Sequence, residues 1–152
     1  MSSINKWGNI TWTLFHVIAE KIDKQKFNEI RQQLIDILYG ICRNLPCPIC
    51  SKDAINILNK EYLRNITTKE HFIEFLRQFH NIVNIKLKKP QVSINEYQTL
   101  YVNKNIGLII KNFYFIYNQK YNNSKLMVDT FHKLNYLKIL SSQLNSIKYA
   151  IL

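Results

Sequence analysis

Residues 27–50 read FNEIRQQLIDILYGICRNLPCPIC. Phe27, Ile30, Leu34, Ile37/Leu38, Ile41 and Leu45 recur at spacings of three and four, the pattern of one buried helical face. Pro46 ends that helix, because proline restricts the residue before it and lacks a backbone N–H. Pro48 suits the first turn of a new helix, predicted over Pro48 to Asn59. Cys47-Pro48-Ile49-Cys50 therefore falls at a break between two helices.

The helical period continues on both sides. Trp7 to Lys21 places Trp12, Phe15/His16 and Ala19 on one face. Thr67-x-x-Glu70 reads as a capping box before a helix carrying Phe72, Phe75/Leu76, Phe79 and Val83, which stops before Pro90. Ser93-x-x-Glu96 is a second capping box, opening a short helix towards Tyr101. Ile106 to Tyr121 and Leu126 to Ile151 read as two further helices, broken at Asn122-Asn123-Ser124. No strand pair with turn signals occurs, so the expected class is all-α: a four-helix bundle, a short fifth helix and a helical C-terminal extension. The expected organisation is a bundle over residues 1–102 and an extension over 103–152. That extension would pack on the bundle or serve dimer or partner contact.

Composition narrows the chemistry. The 152 residues are 47% hydrophobic and 20% charged, enough to bury a core. Only three glycines occur, Gly8, Gly40 and Gly107, too far apart for a GxGxxG turn or a P-loop, so any phosphate is held by other means. The net charge is +11, but Lys is dispersed and shares AT-rich codons with the abundant Ile and Asn. The charge alone is therefore a poor sign of nucleic-acid binding. The N-terminal stretch MSSINKWGN lacks the apolar core of a signal peptide. Ile106 to Tyr117 is interrupted by Lys111 and Asn112 and is too short to span a bilayer. A reducing cytosol is the expected setting. There a C-x-x-C pair is catalytic or metal-binding more often than structural.

Three clusters carry the chemistry. Two cysteines at i and i+3 on a helix's first turn can close a short disulfide, and the helix N-terminus favours a thiolate there. A thioredoxin-like reading needs βαβ units that are missing, and a zinc site needs a fourth ligand. Cys42, on the preceding helix, reads as a small buried apolar residue. The second cluster is His80-Asn81-Ile82-Val83-Asn84 followed by Lys86, Lys88 and Lys89-Pro90. His80 and Asn84 are one turn apart on one face, Val83 lies beside them, and the lysines follow at the helix end. Hydrogen-bonding groups, an apolar wall and positive charge suit an adenine, a ribose and a pyrophosphate. The third cluster is Trp7-Gly8-x3-Trp12-x3-His16 on the first helix.

W-G-x3-W-x3-H, C-x-x-C and H-N-x-V-N-x-K-L-x-K-P, in this order, resemble the Erv/Alr family of FAD-linked sulfhydryl oxidases. The likeness covers about residues 7–101. In its Leu-Pro-Cys-x-x-Cys context and its Ser-x-x-Glu-Tyr segment it resembles the short versions carried by large DNA viruses. The resemblance implies a thiol oxidase that binds FAD non-covalently at the mouth of the bundle and passes electrons from dithiols to oxygen, giving hydrogen peroxide. Cys50 would be the cysteine beside the isoalloxazine, and Cys47 the outer partner exchanging with the substrate thiolate. Trp12 and His16 would line the adenine and flavin sides. His80, Asn81, Val83 and Asn84 would wrap the cofactor, and Lys86 and Lys89 would face its pyrophosphate. Gly8 matches the family's tight start of the first helix, and Tyr101 stands at a second aromatic position.

The implied partners are a dithiol on a small redox protein or on viral structural proteins, oxygen, and a second copy of the chain. No nucleic acid is expected. The implied location is the host cytoplasm or a virus factory, with packaging in the virion as an option. The chain departs from the family in three places. Glu20-Lys21-Ile22-Asp23 stands where many relatives have Tyr and Pro. No cysteine follows Cys50. No separate shuttle C-x-x-C is present, which favours direct transfer from a partner protein to Cys47 over a relay through Cys42. The competing reading is a non-enzymatic zinc- or nucleic-acid-binding module built on the cysteine cluster and the basic charge.

Overall fold

The computed structural model describes residues 3–60, 63–122 and 127–152. Among these, seven α-helices form the architecture: α1 (Ser3–Lys21), α2 (Phe27–Arg43), α3 (Pro48–Lys60), α4 (Lys69–Lys86), α5 (Ile94–Tyr101), α6 (Ile106–Asn122) and α7 (Met127–Ile147). The all-α expectation holds. The only extended pairing among the described residues is a single bridge between Ile22 and Ile151. It clasps the C-terminus to the end of α1, where Asp23 N donates to Ala150 O and Leu152 N donates to Lys21 O. No helix among the described residues is long and apolar enough to cross a membrane.

α1 is the central helix. Leu14, Phe15, His16, Val17, Ile18 and Ala19 are all buried, so it is enclosed on every side over nearly two turns. It packs against α4, α5 and α6, while α2 packs against α3 and α7. The core does not stop at residue 102. Phe113, Tyr117 and Tyr121 of α6 and Leu140 of α7 are fully or almost fully buried in the same cluster as Leu14, Ile30 and Leu76. The approach of α7 to α2 is set by Gly40, where a Cβ would lie 2.8 Å from Tyr136 Oη. The predicted break at Asn122-Asn123-Ser124 falls largely outside the described residues. α7 ends at Ile147 and passes into a 3-10 turn over Lys148–Ala150, earlier than the predicted end at Ile151.

One cap differs from expectation. Ser93 and Glu96 form the expected reciprocal box at α5. At α4, however, the N-cap is Thr68, whose side chain accepts from His71 N. Thr67 instead contacts the His71 ring at Nδ1, and Glu70 pairs with Lys24 at 3.1 Å on the surface. Two adjacent threonines can both cap, and the one with extended backbone before Lys69 takes the role. Thr68→Ala is expected to cost about 1 kcal/mol of stability, and Glu70→Ala only a few tenths, because an exposed ion pair contributes roughly that much. Urea unfolding of both variants checks the order.

Candidate active site

α1, α2, α3 and α4 enclose a cavity of about 280 Å³ beside the α2–α3 break. Its walls are largely apolar. Phe15 comes from α1, Ala54 and Ile57 from α3, and Phe79 and Val83 from α4. Trp12 and His80 form one face as parallel rings 4.1 Å apart at 7°. Asn84 is buried and lines the cavity, yet among the described residues its side-chain amide has no hydrogen-bond partner. Its amide is open to the cavity, where a ligand or water can satisfy it.

Cationic charge reaches the rim through Lys86 and Lys89. The end of α4 places them. Lys88 N donates to Ile85 O and Lys89 N to Asn84 O, the bond pair of a Schellman ending. Lys88 takes the left-handed conformation that this ending requires, with φ 57°. A non-glycine residue there costs roughly 1 kcal/mol. The turn carries Lys89 back to the cavity rim beside Lys86.

Cys47 and Cys50 are joined in a disulfide with Cα atoms 5.2 Å apart. Cys50 lines the cavity and Cys47 does not. Cys47 O accepts from Ser51 N, and Cys47 Sγ lies 3.3 Å from Cys50 N, an N–H of the first turn of α3. The sulfur of Cys47 thus sits in the capping position of a helix, where partial positive charge stabilises a thiolate.

Three predicted contact residues stand behind the cavity wall. His16 is fully buried under His80, with its Nε2 2.8 Å from His80 Nδ1. Tyr97 Oη lies 2.6 Å from His16 Nδ1, and Tyr101 packs on the His16 ring at 4.6 Å. Asn81 is buried against the segment before α5, accepting from Val92 N and donating to Val92 O. His16 packs against Tyr97 and Tyr101 of α5, and Asn81 bonds the segment before α5, so none of the three lines this cavity. The Tyr97 hydroxyl has no other acceptor among the described residues, so it donates to His16 Nδ1. His16 then carries its proton on Nε2 and donates to His80 Nδ1, which leaves His80 as an Nε2–H donor. Gly8, Trp12, Cys50, His80, Val83, Asn84, Lys86 and Lys89 all line the cavity.

Burial holds both imidazoles neutral. His16 is lowered to about 2 by burial and then by His80. His80 is lowered to about 4 by burial and then by the charge of Lys89. The unfolded chain binds protons on these rings below about pH 6.5, and the folded chain does not. Stability is therefore fully present above pH 6.5 and is lost as pH falls from there towards 4, by up to about 3 kcal/mol per pH unit with both rings contributing. Urea midpoints at pH 7.5 and pH 5 measure it, and His80→Gln is expected to flatten the slope.

The sequence reading missed part of the wall. Cys42 lines the cavity as a free, buried thiol, pushed up to about 12 by burial, and so is no nucleophile near neutral pH. Thr11 lines it too, with its hydroxyl on Trp7 O and 2.6 Å from Tyr117 Oη. Both lie on apolar helix faces, and periodicity does not separate a cavity wall from packed core. The i, i+4 relation of Trp7 and Thr11 was the available signal.

The Erv1 / Alr family model matches residues 9–102, which hold all of the cavity wall except Trp7 and Gly8. The chain belongs to the Erv/Alr family. It is 30% identical over 88 residues to protein 096R of Invertebrate iridescent virus 3, covering 57% of this chain and 60% of that protein. It is 28% identical over 95 residues to the FAD-linked sulfhydryl oxidase of African swine fever virus (isolate Pig/Kenya/KEN-50/1950), covering 62% and 79%. The mitochondrial FAD-linked sulfhydryl oxidase ERV1 of Saccharomyces cerevisiae is 26% identical over 92 residues, covering 60% and 48%. The chain thus spans less than two thirds of the iridescent virus and yeast relatives. No solved structure matches it at a significant level.

The Erv/Alr cavity fits FAD on its own evidence. Parallel aromatic faces, an amide on the cavity wall and two rim lysines are the complements of a fused ring, its polar edge and a pyrophosphate. At about 280 Å³ the cavity encloses part of such a molecule, leaving the rest along the lysine rim.

Proposed function

We propose that this protein is an FAD-dependent thiol oxidase, converting a protein dithiol and oxygen into a disulfide and hydrogen peroxide. The observation that carries the reading is the position of the disulfide. Cys50 lines the cavity, whereas Cys47 does not line it and caps the N-terminus of α3.

A substrate thiolate attacks Cys47 Sγ, the S–S bond breaks, and Cys50 leaves as a thiolate on the cavity wall. A second substrate thiolate attacks the substrate sulfur of the mixed disulfide. The product disulfide departs, and Cys47 is released as a thiolate stabilised by the N–H of Cys50. FAD, when bound, supplies the two-electron acceptor that restores the disulfide and delivers the electrons to oxygen. Around it the chain provides binding and orientation. Trp12 and His80 hold the ring system, Asn84 its polar edge, and Lys86 and Lys89 the phosphates. The Tyr97–His16–His80 chain keeps His80 a neutral donor on that wall.

Exposed Ile49, between the two cysteines, leaves the outer side of the pair open to a protein substrate. The zinc reading is weaker: among the described residues no group of three or more His, Cys, Asp or Glu gathers. The test is oxygen consumption by the purified protein with dithiothreitol. The proposal predicts a yellow protein releasing one hydrogen peroxide per disulfide formed. A colourless protein with no thiol-dependent oxygen uptake would overturn it.

A further inference from the structure

α6 and α7 lie beyond the residues matched to the family, yet their side chains reach the segment that carries the redox pair. Tyr121 Oη donates to the carbonyl of Asn44, and Lys133 Nζ donates to the carbonyl of Leu45 at 3.2 Å. Asn44, Leu45 and Pro46 form the strap that leaves α2 and enters the Cys47–Cys50 turn. Carbonyls at the end of a helix have no donor within it, and Pro46 adds no N–H of its own. The strap is also fixed by Ser51 Oγ, which accepts from Leu45 N at 3.0 Å, and by Asn44, whose N and Nδ2 donate to Ile41 O and Gly40 O. Lys133 Nζ also lies 5.5 Å over the Tyr121 ring, so the two side chains act as one unit.

We propose that Tyr121 and Lys133 are positioning residues for the redox pair. By clamping the Asn44 and Leu45 carbonyls, they hold the two thiols at closing distance and set the equilibrium between dithiol and disulfide. The proposal rests on Cys47–Cys50 being an exchanging pair. The exchange that reports it is balanced. The dithiol gives two electrons and two protons to oxidised glutathione, one S–S bond forms in the protein, and one breaks to give two molecules of glutathione. Holding two thiols together raises their effective concentration and favours the disulfide. A nearby cation acts the other way, because it favours the thiolate form of the reduced pair. The direction of the shift therefore separates a clamp from a charge effect.

The experiment is an anaerobic titration of the holoprotein against mixtures of reduced and oxidised glutathione, with thiols trapped by alkylation and counted by mass. Tyr121→Phe and Lys133→Met are each expected to lower the disulfide-forming constant by about threefold to tenfold, the effect of one lost hydrogen bond. Lys133→Arg keeps the donor and is expected to restore the wild-type constant. Ser146→Ala is expected to leave it unchanged, because Ser146 bonds only within its own helix. Lys133 is half-exposed, so its variants carry the test if Tyr121→Phe does not fold. One constant shared by all variants would overturn the proposal while leaving the oxidase reading intact. A shift towards disulfide in Lys133→Met with none in Tyr121→Phe would replace the clamp by a charge effect. A pair that never exchanges with glutathione would overturn both the functional reading and this proposal.

Discussion

Cys50→Ser is expected to abolish thiol-dependent oxygen uptake, a loss of at least about 10³-fold, while the protein remains folded. The two halves of that result have separate causes. The disulfide closes a very short loop, so its removal costs at most about 2 kcal/mol of stability, and the buried faces of α1 and α2 are untouched. The chemistry fails because Cys50 is the only member of the pair on the cavity wall. Cys42, also on that wall, is held as a neutral thiol by burial and does not replace it. Cys47 then has no disulfide for a substrate thiolate to attack, so a mixed disulfide forms on this variant only by exchange of the Cys47 thiolate with a disulfide already present, such as the oxidised substrate. Cys47→Ser is expected to be equally inactive but to trap none at position 47. Oxygen consumption, circular dichroism and mass analysis of alkylated protein read these outcomes. Trapping on Cys50→Ser in native cells also names the physiological dithiol.

Phe113→Ala is expected to destabilise the whole molecule by about 3–5 kcal/mol, in one cooperative transition. Phe113 lies beyond the matched residues, yet it is fully buried and stacks on Tyr117 with ring centroids 3.9 Å apart. Tyr117 in turn reaches Thr11 on the cavity wall. Typical domains have only 5–15 kcal/mol of net stability, so this cavity consumes a large share. If α6 and α7 were an appendage, the variant would instead melt in two steps, with flavin retained through the first. Urea unfolding followed both by helical signal and by flavin release distinguishes these cases.

What could be read from the sequence divides along physical lines. The helices were legible because apolar spacing of three and four is a local property, and Pro46 and Pro48 mark the α2–α3 break directly. Trp12, His80 and Asn84 were legible as cavity residues because they fall at helical spacings within motifs. His16 and Asn81 share those motifs, but which side of the wall they occupy depends on where α5 and the segment before it dock, as does the place of Tyr101 on α5 itself. That is a tertiary fact with no local signature. The choice between Thr67 and Thr68 turned on backbone conformation at one residue. The docking of α7 on α2 depends on Gly40 making room for Tyr136, a pairing across nearly a hundred residues that one sequence does not display. Lys133 and Tyr121 escaped notice for the same reason, since their partners are backbone carbonyls.

The central claim is that Cys50 links an exchanging disulfide to a flavin in the cavity formed by α1, α2, α3 and α4. Anaerobic addition of a dithiol to the purified protein, followed by its visible flavin absorption, tests this most directly. Wild type is predicted to lose that absorption on addition of dithiol and to regain it in air, whereas Cys50→Ser keeps it throughout. Equal loss in wild type and Cys50→Ser, or no flavin absorption in either, would contradict the claim.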